Sequence, residues 1–228
     1  LGGAEMILDF RLRPPHPLYI KDRKPGQQRV QSYSDRMGVT TAPSVVQQSM
    51  KLLEAEMAEA GVTIGVMNAT YTPKYPGVVP NDAVRGVEKD HPGKLMGLGS
   101  ISPEWTAPAI RDQTRRCVKE LGFRGMSIDP YLWQPPVYVD DPRLVPLYET
   151  CIELDVPVAM TLSASSPPGF SYCHPGKVDA LAAKYPELKI VVAHACWPHV
   201  MEMIAVVFRR PNVWISPDMY MMAPGVDR

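Results

Sequence analysis

The sequence has no excess of charge of either sign. Its 24 Lys and Arg residues balance 24 Asp and Glu residues, so the formal net charge is zero. A protein that binds nucleic acid over a broad surface carries a basic excess, so we expect no nucleic-acid partner. The apolar runs are no longer than a strand, which predicts that there is no transmembrane helix and no membrane association.

Cysteine is scarce and shows no CxxC spacing. The four cysteines are Cys117, Cys151, Cys173 and Cys196. In a chain of this length, a few scattered cysteines without paired spacing are typical of reduced thiols that pack in a core. We therefore expect a cytoplasmic protein. The first five residues lack the charged segment and the apolar core of a signal peptide.

A glycine-rich nucleotide-binding loop is also missing from the sequence. No GxGxxG or Walker-type motif follows the first apolar run. Both motifs need glycines directly after a strand to let the backbone approach phosphates. This absence weakens a nucleotide-binding interpretation, and no cofactor is predicted.

Seven apolar runs of strand length are present, with helix-like segments between them. The runs are Met6–Phe10, Val62–Ala69, Lys94–Ile101, Gly122–Ile128, Val156–Leu162, Lys189–Ala193 and Asn212–Ser216. The segment Ser44–Ala60 repeats apolar residues with a period near 3.6 and ends at Gly61, so it predicts a helix. Strands that alternate with helices need crossovers and form a parallel sheet. We therefore predict an α/β protein with one barrel domain over residues 1–228.

The number of strands falls one short of a complete barrel. A (β/α)8 TIM barrel has eight strands and about 250 residues, whereas seven runs are visible here. We expect a distorted TIM barrel whose eighth strand is missing from the C-terminus of this chain. Alternatively, two strands have been merged into one run. An open seam would leave edge strands exposed.

The first apolar run ends in two arginines, Arg11 and Arg13. Residues two apart in a strand point to the same face, so both cations are expected at one place. Neighbouring cations repel unless an anion lies beside them, and guanidinium is suited to bidentate binding of a carboxylate. The anion is either a small substrate or the protein's own Asp and Glu in salt bridges, and the sequence leaves both possibilities open.

Several segments resemble the amidohydrolase-2 family, which includes aminocarboxymuconate-semialdehyde decarboxylase and γ-resorcylate decarboxylase. The stretch YPELKIVVAHACWP, Tyr185–Pro198, is similar to the segment around the family's sixth strand. Further similarity lies at Gly122–Pro130, Asp140–Val158 and Arg209–Asp218. The resemblance implies a distorted TIM barrel with its site at the C-terminal ends of the strands. It also implies a hydrolase or decarboxylase, and family members often form dimers, so a homodimer is expected.

The positions that carry metal ligands in this family are mostly occupied by other residue types in this sequence. Many members hold a divalent ion with a His-x-His pair on strand one and with histidines on strands five and six. The matching positions here carry Arg11, Arg13, Thr161 and His194, and the family's strand-eight Asp lies outside this chain. Guanidinium has no lone pair to offer to a cation. No metal is therefore predicted.

The predicted function is that of a metal-independent hydrolase acting on a small carboxylate-bearing substrate. His194 and Asp218 are the predicted catalytic residues, as general acid or base. The predicted substrate-binding residues are Arg11, Arg13, Arg124, Asp129, Thr161 and His174. By analogy with relatives that hold anionic substrates with arginines, the arginines would also stabilise an oxyanion.

Two other functions remain open at this stage. One is a metal-dependent hydrolase or decarboxylase with a shifted ligand set built on His194. The other is a degenerate barrel that binds a metabolite without turnover. Structural roles are also open for single residues: His194 as a core histidine, Asp218 as a turn acid and His174 as a loop residue near a helix start. Cys196, which replaces a glycine usual in the family, is either a packed thiol or a reactive thiolate.

Overall fold

Strands and helices alternate along the chain, and all seven predicted strands are present. The computed structural model describes residues 6–20, 38, 40–73, 77–163 and 169–218. The strands are β1 Ile7–Leu12, β2 Val62–Asn68, β3 Thr70–Tyr71, β4 Val78–Val79, β5 Leu95–Leu98, β6 Met126–Ile128, β7 Val158–Ser163, β8 Ile190–Trp197 and β9 Val213–Ser216. The helices are α1 Pro17–Ile20, α2 Pro43–Gln47, α3 Met50–Glu59, α4 Asn81–Asp90, α5 Ala107–Lys119, α6 Val145–Glu153, α7 Pro175–Lys184 and α8 Val200–Arg209.

Seven of the strands run parallel and follow one another in chain order. One sheet has the order β1-β2-β5 and another has the order β6-β7-β8-β9, while β3 and β4 form a short antiparallel pair. A parallel bridge between Gly99 and Met126 joins the two parallel sheets. This is the arrangement of a TIM barrel, with helices in the crossovers. The predicted eighth strand lies outside the described residues.

The predicted helix Ser44–Ala60 is two helices, and this part of the prediction was wrong. Gln48 ends α2 in the left-handed conformation, with φ of 52°. The Ser49 side chain then caps α3, because its hydroxyl accepts a hydrogen bond from the Leu52 amide at 3.2 Å. An N-cap of this kind starts a new helix, so the apolar period continues across a break in the backbone.

Side chains on the strands alternate between the helices and the inside of the barrel. Met67, Met126 and Met160 belong to a large core cluster that includes residues of the surrounding helices. Val66, Leu98 and Ala159 form a separate small cluster, with Phe10 and Met96 packed against it. Since neighbouring residues of a strand point to opposite faces, the small cluster marks the inner face of the barrel.

A layer of buried polar residues lies above this inner cluster, towards the C-terminal ends of the strands. Asn68 follows Val66 by two residues, and Thr161 follows Ala159 by two. Ser127 and Asp129 alternate with outer-core residues of β6. All four are at most 3% exposed. We call Asn68, Ser127, Asp129 and Thr161 the inner polar layer, and the end of the barrel that it faces the mouth.

No helix in the described ranges is both long enough and apolar enough to cross a membrane.

Candidate active site at the mouth of the barrel

A bulge in β1 directs Arg11 towards the mouth. Asp9 pairs with Gly65 and Leu12 pairs with Met67, so three steps on β1 match two on β2. Leu12 packs on the outer core, while Phe10 packs on the inner cluster. A bulge turns the chain locally and re-aims a side chain. Arg11, between these two residues, therefore extends across the inside of the barrel.

Arg11 forms a buried ion pair with Asp129. Its Nη2 lies 2.9 Å from Asp129 Oδ1, and the two side chains are 7% and 2% exposed. The two residues come from β1 and from the end of β6, which are not neighbouring strands, so the ion pair spans the mouth. Burial lowers the pKa of Arg11, and the charge of Asp129 counteracts that effect. For Arg11, the anion is thus an aspartate of the protein itself.

Arg13 is half-buried and lies close to the same group of residues. Its charge contributes to lowering the pKa of Arg11 and of His194, and it opposes the burial that raises the pKa of Tyr19; each contribution is smaller than that of burial. Arg13 is therefore near enough to the buried ion pair and to the imidazole for its charge to act on both.

The end of β8 is distorted at His194. Thr161 and Ser163 of β7 match Ala193 and Trp197 of β8, so two extra residues are accommodated on β8. His194, Ala195 and Cys196 adopt positive φ angles of 71°, 48° and 56°. This conformation costs about 1–2 kcal/mol for each residue with a Cβ, which explains why glycine would be favoured at position 196.

Cys196 is a packed thiol. It is fully buried, and its Sγ lies 3.6 Å from Met203 Sδ. Burial raises the pKa of this thiol, so the reactive thiolate form is disfavoured at neutral pH. The structure supports the packing interpretation.

His194 and Asp218 form a second charged pair at the mouth. His194 Nδ1 lies 2.9 Å from Asp218 Oδ2, and the two side chains are 12% and 10% exposed. The same oxygen accepts a hydrogen bond from the backbone amide of His194 at 3.0 Å, and Ser216 Oγ donates to Asp218 Oδ1. The carboxylate therefore fixes the position of the imidazole at both its backbone and its ring.

The two groups differ in how burial and charge shift their pKa values. Burial lowers the pKa of His194, Asp218 opposes this, and the charges of Arg11 and Arg13 lower it further. Burial would raise the pKa of Asp218, but its contacts with His194 and Ser216 outweigh burial and lower it. At neutral pH the pair is thus a neutral imidazole beside an ionised carboxylate. The 2.9 Å approach of Nδ1 to the carboxylate favours the tautomer that has its proton on Nδ1 and its lone pair on Nε2.

Three other predicted site residues lie in different places. Thr161 is buried on the inner face of β7, in the inner polar layer. His174 is exposed and caps α7, accepting a hydrogen bond from the Gly176 amide at 3.1 Å through Nδ1. Arg124 is exposed and precedes β6, at the opposite end of that strand from Asp129. The structure therefore does not bring Arg124 to the mouth, because the mouth lies at the C-terminal ends of the strands and Arg124 lies before the start of β6.

Two residues near the mouth were not predicted. Tyr19, in α1, donates a hydrogen bond from Oη to the carbonyl oxygen of Asn68 at 3.1 Å. Asp9 lies near Asp218, and burial raises the pKa of Asp9 with a smaller contribution from the Asp218 charge. Asp9 precedes Arg11 by two residues, so the spacing that identified the arginines also points to it. Tyr19 offers no such signal.

The donor set does not fit the divalent metal site that the family resemblance implies. In the described part of the chain, no three His, Cys, Asp or Glu side chains come together in a way that could hold a metal ion. Two guanidinium groups lie where the strand-one histidines would be, and Asp218 already engages His194. A cation at this position would meet positive charge instead of lone pairs.

Comparison with known sequences matches most of this chain to one protein family. The amidohydrolase family profile matches residues 40–224, which is most of the chain. A 2-amino-3-carboxymuconate-6-semialdehyde decarboxylase of Dictyostelium discoideum is 35% identical over 78 residues. That match covers 34% of this chain and 21% of the relative, so it spans only about a fifth of the relative's length.

Solved structures agree on the fold. An uncharacterised TIM-barrel protein of Bordetella bronchiseptica is 34% identical, with a TM-score of 0.86 over 98% of this chain and 79% of the other. A 2,6-dihydroxybenzoate decarboxylase from Rhizobium is 18% identical, with a TM-score of 0.60 over 98% of this chain and 85% of the other. A probable 2-pyrone-4,6-dicarboxylic acid hydrolase of Acinetobacter baumannii, with citric acid bound, is 13% identical, with a TM-score of 0.56 over 97% of this chain and 73% of the other. The chain therefore belongs to the amidohydrolase family.

Proposed function

We propose that this chain is a metal-independent hydrolase that acts on a small carboxylate-bearing substrate at the mouth of the barrel. The observation that carries the proposal is the His194–Asp218 pair at the mouth, with Arg11 and Arg13 near enough for their charges to lower the pKa of His194. Fixed positive charge, an oriented imidazole and a buried polar layer lie together where barrel enzymes of this type have their sites.

Arg13 is the proposed anchor for the substrate carboxylate. Arg11 is held by Asp129, whose charge offsets its own. Arg13 is half-buried, and guanidinium binds carboxylates in a bidentate geometry. A substrate anion bound at Arg13 would therefore lie next to His194. The citric acid in the Acinetobacter relative supports a small polycarboxylate as the substrate class.

His194 is the proposed general base. Its neutral form can accept a proton from a water molecule at Nε2, while Asp218 stabilises the imidazolium that forms. The water oxygen then attacks the carbonyl carbon of an ester or lactone. The arginines stabilise the negative charge that develops on the carbonyl oxygen, a part that a Lewis-acidic metal plays elsewhere. His194 then returns its proton to the leaving oxygen.

Decarboxylation is the second candidate, and the 35% identity with the Dictyostelium decarboxylase favours it. In that reaction the carboxylate leaves as carbon dioxide and the carbon it leaves must receive a proton. A neutral His194 is a poor donor for this step. Asp9, with its raised pKa near Asp218, would be the proton source.

Assays with two compounds separate the candidates. We expect the protein to hydrolyse 2-pyrone-4,6-dicarboxylate in preference to decarboxylating 2,6-dihydroxybenzoate. Replacing the anchor in Arg13→Ala should raise KM about tenfold or more, because a charge-assisted hydrogen bond contributes roughly 1.5–3 kcal/mol. The variant Arg13→Lys should retain part of the binding, since it keeps the charge and loses the bidentate fork.

The control is Arg124→Ala, which removes an exposed arginine at the other end of the barrel. Its KM should equal that of the unmodified protein. Equal effects of the two alanine substitutions would contradict the anchoring role of Arg13. Turnover of 2,6-dihydroxybenzoate alone would establish the decarboxylase instead, and no turnover with tight binding would establish a degenerate barrel.

A further inference from the structure

The end of β9 carries a serine that faces the mouth. Val213 and Ile215 pack in the outer core, so by alternation the side chain of Ser216 lies on the inner face of the strand. Ser216 is the last residue of β9 and pairs with Ala193 of β8, the residue directly before His194. The hydroxyl therefore lies beside the part of β8 that carries the proposed base.

The carboxylate of Asp218 divides its two oxygens between these two strands. Oδ2 lies 2.9 Å from His194 Nδ1 and accepts a hydrogen bond from the His194 amide at 3.0 Å. Oδ1 accepts a hydrogen bond from the hydroxyl of Ser216. A carboxylate held at both oxygens has a fixed plane, whereas the terminal torsion of an aspartate is otherwise soft. The bond from Ser216 therefore determines how the carboxylate faces the imidazole.

The backbone of Asp218 depends on the same hydrogen bond. Its φ angle is 54°, in the left-handed region, which a residue with a Cβ seldom adopts unless a short polar side chain bonds locally. The hydroxyl of Ser216, two residues earlier, supplies such a local bond. Ser216 thus helps to hold both the backbone and the side chain of Asp218 in place.

Asp9 shows a different arrangement for a carboxylate near the mouth. Its Oδ1 accepts from the amide of Arg11, two residues further on, at 3.2 Å. That bond turns the carboxylate back on its own strand. Asp218 instead bonds the amide of His194, which is 24 residues away on the neighbouring strand. Its side chain therefore links two strands at the imidazole, and Ser216 completes the link.

We propose that Ser216 is a positioning residue whose hydroxyl anchors the carboxylate of Asp218 and thereby holds the imidazole of His194 in the orientation and tautomer that present the Nε2 lone pair to the substrate. This rests on the proposed function, in which His194 is the base. Ser216 does not touch the substrate in this account and acts through Asp218.

The first test identifies the tautomer of His194 without any substrate. Long-range ¹H–¹⁵N spectra of protein labelled with [¹⁵N]histidine show which ring nitrogen carries the proton, and His194→Gln identifies the signals of this residue. We expect the Nδ1-protonated form at neutral pH in the unmodified protein and in Ser216→Thr, which keeps the hydroxyl. In Ser216→Ala the carboxylate can turn away from Nδ1, so the signals should shift towards the other tautomer.

Ser49→Ala is the matched control, because it also removes one serine hydroxyl and its hydrogen bond. The Ser49 hydroxyl accepts from the Leu52 amide at 3.2 Å and caps α3. This variant should lower the Tm, as the loss of an N-cap does, and leave the signals of His194 unchanged. Signals of His194 in Ser216→Ala that match those of the unmodified protein would overturn the inference, whatever the change in Tm.

The second test measures hydrolysis of 2-pyrone-4,6-dicarboxylate. A misplaced base slows the chemical step, so Ser216→Ala should lower kcat about tenfold or more. KM should stay the same, since the proposed carboxylate anchor Arg13 is intact. Ser216→Thr should restore kcat, and Ser49→Ala should not change it.

The outcomes separate this inference from the proposed function. Absence of turnover by the unmodified protein would overturn the proposed function, and the spectra would still decide the role of Ser216 in holding His194. Turnover that falls in Arg13→Ala, with a kcat that Ser216→Ala leaves unchanged, would overturn the role of Ser216 alone.

Discussion

At the scale of single residues, two arginines that look equivalent in the sequence have different environments. Their spacing predicts that both lie at the C-terminal end of the first strand, and both do. The partner of Arg11 could not be predicted, because Asp129 is 118 residues away and meets Arg11 only across the inside of the barrel.

The buried ion pair gives a prediction for stability. Removing the carboxylate in Asp129→Ala leaves a buried cation beside Arg13, and such changes cost about 3–5 kcal/mol. We expect the free energy of unfolding to fall by about 3 kcal/mol in urea titrations. The double variant Arg11→Met/Asp129→Leu should recover much of this loss, because it removes both charges.

The exposed pair Arg116–Asp82 serves as a control for this measurement. The Asp82 side chain is 63% exposed, and surface ion pairs contribute less than about 1 kcal/mol. Asp82→Ala should therefore change the unfolding free energy little. If Asp129→Ala were no more destabilising than Asp82→Ala, the ion pair across the mouth would not be intact in solution.

The pKa of His194 predicts how activity depends on pH. The proposed base acts only in its neutral form, and burial together with two arginines lowers its pKa below the usual 6.5. Hence kcat/KM should rise with pH through an apparent pKa below 6.5 and then level off at neutral pH. In Arg13→Gln one of the depressing charges is lost, so the acidic limb should move to higher pH.

Two outcomes of the pH-profile measurement would contradict this prediction. A limb that stays in place in Arg13→Gln, while KM rises, would show that Arg13 binds substrate without influencing the base. An acidic limb with a pKa above 6.5 would contradict the neutral, buried state of His194.

At the scale of elements, periodicity predicts the existence of strands better than their ends. All seven predicted parallel strands are present, yet β6 begins at Met126 and not at Gly122. Arg124 consequently lies before β6, at the end of the barrel opposite the mouth. The break between α2 and α3 was also missed. The apolar period of the sequence continues through Gln48, whereas the helical backbone conformation ends there.

The bulges in β1 and β8 could not be predicted, although they position the site. Each shifts the register with respect to β2 or β7 and changes where the following side chains point. Strict alternation assumes that no residue is inserted. At β8, a histidine, an alanine and a cysteine all occupy left-handed backbone, against their local preference. Strain of this kind at the end of a barrel strand is held by tertiary contacts such as that of Asp218 with His194.

At the scale of the whole molecule, the order of strands and helices was sufficient to predict a TIM barrel. The barrel brings the ends of β1, β6, β8 and β9 together, so residues far apart in sequence share one mouth. Guanidinium groups stand at the strand-one positions where the resemblance to the family implies histidines. We propose that fixed positive charge does the work of a metal ion there.

Turnover of 2-pyrone-4,6-dicarboxylate after removal of metal tests that claim most directly. The protein is dialysed against a chelator, its metal content is checked by elemental analysis, and kcat/KM is measured with and without added Mn²⁺ or Zn²⁺. We predict that the metal-depleted protein keeps its full activity and that added ions do not increase it. Loss of turnover on chelation, restored by one equivalent of a divalent ion, would contradict the account.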